Sequence, residues 1–85
     1  MSRSVFGGAY AIFVAELVAV RKASGVTQVE LADRLSKPQS FISKIERGER
    51  RIDVIEFCAV ARALGVEPSS LLGRIEAKLP DQLLV

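Results

Sequence analysis

Residues 31–51 read LADRLSKPQSFISKIERGERR, and two patterns overlap in them. Apolar residues recur at helical spacing, first Leu31, Ala32 and Leu35, then Phe41 or Ile42 with Ile45. Between the two sets stands Ser36-Lys37-Pro38, where the proline disfavours helical geometry in the residue before it, so the spacing predicts two short helices and a turn. The second pattern is charge. Arg34, Lys37, Lys44, Arg47, Arg50 and Arg51 oppose only Glu46 and Glu49 between residues 34 and 51, a net of +4, while the remainder of the chain carries −2. The whole-chain charge of +2 therefore hides a strong asymmetry. Charge alone fits a solvated helix face and a phosphate-binding surface equally well.

The flanking residues extend the helical reading. Thr27 with Glu30 three residues on is a capping box that starts the helix carrying Leu31, and Gly48 stops the helix carrying Ile45. Asp53 with Glu56 is a second capping box, opening a fourth helix with Ile55, Phe57, Cys58, Ala61 and Leu64 that ends at Gly65. Pro68 suits the first turn of a fifth helix bearing Leu71 and Leu72. Upstream, Tyr10, Phe13, Leu17 and Val20, with Val14 alongside, share one face of a first helix closed by Gly25. No alternating pattern competes, so the expectation is an all-α chain of five short helices. It divides into an N-terminal extension (1–9), one domain (10–73) and a C-terminal tail (74–85).

Composition removes several function classes. Eighty-five residues, 49% hydrophobic and 26% charged, suit one small globular domain. There is no histidine and a single cysteine, Cys58, read as a small buried hydrophobe, so neither a Cys/His metal site nor an internal disulfide is expected, and histidine-based catalysis is excluded. No cluster offers a nucleophile or base; the expectation is a non-enzyme without a cofactor, in the reducing cytoplasm. The apolar run 5–20 is interrupted by Glu16, meets Arg21-Lys22, and is shorter than the ~20 residues a bilayer span needs. It is read as an amphipathic helix rather than a membrane or signal segment.

Gln28-Val29-Glu30-Leu31-Ala32 followed by Gln39-Ser40-Phe41-Ile42-Ser43-Lys44-Ile45-Glu46-Arg47-Gly48 resembles the helix-turn-helix of the phage-repressor and Cro-type (Xre) DNA-binding family. The resemblance covers residues 10–73, including the downstream ALGVEPSSLL. It implies a compact five-helix lambda-repressor-like domain acting as a sequence-specific transcriptional regulator, a repressor binding a palindromic operator in double-stranded DNA as a homodimer. It places the third helix in the major groove, with Gln39, Ser40, Ser43 and Lys44 facing bases. Glutamine suits adenine and lysine suits guanine; capping or simple exposure is the alternative for the two serines, and for Ser43 it explains the residue as readily as contact does. Thr27, Gln28, Lys37, Arg47, Arg50 and Arg51 fall at phosphate-binding positions, Thr27 doubling as helix cap and Gln28 also bracing Gln39. Arg21 and Glu46 match a structural ion pair that locks the third helix to the first.

Two positions depart from the family's pattern: Ser36 stands where many relatives have glycine, and Pro38 where many have serine or threonine. Ile75, Leu79, Leu83 and Leu84 make the tail more apolar than solvation requires, so the tail with the fifth helix is expected to form the homodimer contact or to bind a protein partner. Folding back on its own core is the other reading, and Val5–Phe6 could serve either purpose. An antitoxin-like interaction module and a restriction–modification controller are the rival functions on the same fold.

Overall fold

The computed structural model describes residues 8–83; the expectations for Val5, Phe6 and Leu84 lie outside them. Among the described residues five helices follow in order: α1 (Gly8–Ala23), α2 (Gln28–Arg34), α3 (Gln39–Glu46), α4 (Val54–Ala63) and α5 (Pro68–Glu76). Both capping boxes form. Thr27 Oγ1 accepts from the Glu30 N–H at 3.1 Å while Glu30 accepts from the Thr27 N–H at 2.8 Å, and Asp53 and Glu56 repeat the exchange at α4. These close backbone donors that would otherwise lack partners at the helix starts.

The break between α2 and α3 is made by backbone hydrogen bonds. The Ser36 N–H donates to Asp33 O and the Lys37 N–H to Ala32 O, the paired closure of a Schellman motif, with Ser36 in the left-handed region at φ 55°. Gly48 occupies the equivalent place after α3 at φ 72° without the steric cost of a Cβ. Pro38 then precedes α3 in extended geometry and supplies no side-chain cap.

One core joins the five helices. Leu17 and Val20 of α1, Leu31 and Ala32 of α2, Ile42 and Ile45 of α3, Phe57, Val60 and Ala61 of α4, and Leu71 and Ile75 of α5 are all buried in it. Ala32, almost fully buried, lets α3 cross α2 closely, and α1 holds α3 from behind. Phe41 and Leu35 pack at its edge, half-buried.

Three expectations change. Ile55 is 74% exposed, because the inward stripe of α4 runs Phe57, Val60, Ala61, Leu64 and leaves position 55 on the opposite side. Cys58 is half-buried rather than enclosed. Ile75 belongs to α5 and to the core, and Leu79 packs against that core, so the first part of the expected tail folds onto its own domain. A polar tie reinforces this. Glu16, buried in α1, accepts from Lys78 Nζ at 2.6 Å and stands 3.0 Å from an Arg74 nitrogen. The Lys78 hydrogen bond holds the Glu16 carboxyl below its ordinary value despite the opposing effect of burial.

Candidate nucleic-acid interface

α3 is buried along Ile42 and Ile45 and presents its other side outward. Gln39, Ser40 and Lys44 are exposed, while Ser43 is half-buried with its hydroxyl 3.3 Å from Ser40 O. The hydrophobic seam therefore orients the polar face of an eight-residue helix too short to be stable alone.

Behind that face lies a polar relay. The Arg21 guanidinium, buried at the end of α1, holds both oxygens of Glu46: Nε to Oε2 at 2.6 Å and Nη2 to Oε1 at 2.9 Å. Its remaining nitrogen donates to Val26 O at 2.9 Å, which ties the α1–α2 connection into the same cluster. The Glu46 hydrogen bond raises the Arg21 pKa above its already high value, so the cation is permanent. Gln28 Nε2 donates to Glu46 Oε1 at 2.8 Å, and Gln39 Nε2 donates to Gln28 Oε1 at 3.2 Å. Residues from α1, α2 and α3 thus converge on the first side chain of α3.

The basic residues of the patch are not equivalent. Arg47 is exposed and chelated by Glu49 at 2.9 and 3.1 Å. Arg50 is half-buried: it grips both oxygens of Glu56, donates to Arg51 O, and stacks 4.6 Å from the Phe41 ring centroid. The Arg50 contact in turn holds the Glu56 carboxyl below its usual range. Lys37 lies 5.2 Å over the same Phe41 ring, so that ring stands between the α2–α3 turn and the loop before α4. Arg51 is exposed over Tyr10 at 4.7 Å, and the Tyr10 hydroxyl accepts from the Ile52 N–H. Arg34 reaches Ala63 O at 2.7 Å, joining α2 to the end of α4. Thr27 is committed to its cap.

Sequence reading missed the Phe41 platform and the Gln28–Glu46 bond. An aromatic flanked in space by two cations has no local signature when the cations come from loops four residues before and nine after it. The signal available for the second was only that Gln28 and Glu46 are polar positions on helices that must cross.

A family model described as Helix-turn-helix matches residues 17–71. The immunity repressor protein of Bacillus phage phi105 is 36% identical over 55 residues, covering 65% of this chain and 38% of the repressor, so this chain spans well under half of that relative's length. Among solved structures, an XRE-family like protein from Pseudomonas syringae pv. tomato superposes with a TM-score of 0.79 at 49% identity, over 85% of this chain and 88% of that one. The restriction-modification controller protein C.AhdI from Aeromonas hydrophila gives 0.66 at 31% identity, over 73% and 94% of the two chains.

Proposed function

The chain belongs to the Xre/Cro-type helix-turn-helix family of DNA-binding transcriptional regulators, and from that premise we propose that it represses transcription by binding a palindromic operator as a homodimer. The observation that carries this reading is the outward face of α3, with Gln39, Ser40 and Lys44 exposed above a buried Ile42–Ile45 seam. Held this way, the helix enters the major groove with Gln39 and Ser40 leading and Lys44 one turn behind; Ser43 lies closer to the helix backbone. Gln28, Lys37, Arg47 and Arg51 meet phosphates at the rim, which fixes register without reading sequence. Arg50, bound to Glu56 and Phe41, contributes mainly by shaping the loop that carries Arg51. The protein works by binding rather than by catalysis, in the cytoplasm where its DNA lies, and requires no cofactor.

Dimerisation is assigned to α4 and α5 rather than to the tail. Val54, Ile55 and Leu72 are 70%, 74% and 52% exposed, and Val54 and Leu72 border an open apolar groove floored by Phe13 and Phe57. A second copy covering this face by two-fold symmetry would present two α3 helices to half-sites about 34 Å apart. Control of a restriction–modification operon is the alternative that the 31% likeness to C.AhdI favours. Selecting bound duplexes from a random pool tests the reading. Enrichment of an inverted repeat, with affinity falling linearly in log salt, is expected; no enrichment and no salt dependence would remove it.

A further inference from the structure

We infer that Glu46, through Gln28, sets the hydrogen-bonding polarity of Gln39 and thereby makes it a reader of adenine rather than guanine. The inference rests on the DNA-binding reading and assigns Glu46 a positioning role beyond its ion pair with Arg21.

A carboxylate held by a guanidinium on both oxygens is ionised and can only accept hydrogen bonds. The Gln28 atom 2.8 Å from Glu46 Oε1 must therefore be the amide nitrogen, although the two ends of a glutamine amide are nearly equal in shape. That choice points Gln28 Oε1 at Gln39, so the Gln39 atom 3.2 Å away must in turn be its nitrogen. One Gln39 N–H is thereby used internally. What remains at the exposed tip is one N–H donor and the Oε1 acceptor. Adenine alone offers the matching pair in the major groove, an N7 acceptor beside an N6 donor. Guanine offers N7 and O6, two acceptors, and would need both N–H groups of Gln39.

The opposite polarity is sterically available but electrostatically forbidden. With Gln28 turned over, its oxygen would face the Glu46 carboxylate, acceptor against acceptor, and its nitrogen would face Gln39. Gln39 would then turn its oxygen inward and offer two donors to the groove, the guanine pattern. The relay thus has two arrangements with different base preferences, and the fixed charge of Glu46, locked by buried Arg21, selects one. A glutamine at position 46 could donate as well as accept and would remove the selection.

The experiment is selection from a random duplex pool with the full chain as wild type, Gln39→Ala, Gln28→Ala and Glu46→Gln, with melting temperatures recorded for each. The position whose preference relaxes in Gln39→Ala identifies the base that Gln39 reads. In wild type that base should be adenine. In Gln28→Ala and in Glu46→Gln the preference for adenine over guanine there should fall at least about fivefold, with other positions unchanged. Glu46→Gln tests the carboxylate itself, and Gln28→Ala, which leaves the Arg21–Glu46 pair intact, tests the link through which it acts and remains readable even if Glu46→Gln melts too low to be used. A different base at the Gln39 position, no position relaxed by Gln39→Ala, or an unchanged adenine preference in Gln28→Ala or in a folded Glu46→Gln would overturn the inference while leaving an enriched operator, and hence the regulator reading, in place. Failure of wild type to enrich any sequence would instead overturn the regulator reading, and the inference with it.

Discussion

Glu16 lies in the middle of α1 among apolar residues, and its side chain is 3% exposed. Its charge is tolerated because Lys78 and Arg74 reach it from the end of α5 and the turn beyond. Since those contacts lower its folded-state pKa, the stability they add is complete above the ordinary carboxyl value of about 4.5 and is lost as pH falls toward the lowered folded value. Thermal melts from pH 7 to pH 3 should show Glu16→Gln less stable than wild type at neutral pH, with the gap narrowing in acid. A gap of constant size would mean that the carboxylate's charge is not what matters. At Ser36 the opposite change is favourable. Its φ of 55° penalises a Cβ, and Ser36→Gly should raise stability by roughly 0.5–1 kcal/mol in denaturant melts.

At the scale of elements, caps and stops were readable because they are local. Thr27 with Glu30, Asp53 with Glu56, and glycines 25, 48 and 65 each announce a helix end within a few residues of chain. Which flank of a helix faces the core was less readable. Ile55 and Leu72 lie within one or two residues of the core positions Phe57 and Leu71 along the chain, but face away from the core in the folded helices, so apolar character alone does not tell them from core residues. The relay was beyond sequence reasoning in its detail: Arg21 and Glu46 are 25 residues apart, and Gln28 and Glu46 are 18 apart, so only the family resemblance brought the first pair together. The exposed margin of α4 and α5 carries a prediction of its own. Ile55→Asp, at a site with little to lose in the core, should convert a dimer to monomer in equilibrium sedimentation with helix content retained, while removing residues 80–85 should leave the dimer intact. The reverse result would return the contact to the tail.

For the whole molecule, the +4 concentrated in residues 34–51 is the electrostatic side of the account. Part of it is internally spent, since Arg50 serves Glu56 and Arg34 serves the end of α4. Arg47 is different: its partner Glu49 is equally exposed, and a phosphate can replace it. Arg47→Ala should weaken binding to all duplexes alike and reduce the slope of log affinity against log salt by about one unit. A loss confined to one sequence would make Arg47 a base reader instead. On the proposed reading, α3 reads sequence through its first residue, Gln39. The direct measurement is the affinity of wild type and Gln39→Ala, at one salt concentration, for the selected operator and for a scrambled duplex of equal length. Gln39→Ala should bind the operator more weakly by about fivefold or more and the scrambled duplex unchanged, so that the ratio of the two collapses. Equal losses on both duplexes, or none on either, would contradict it.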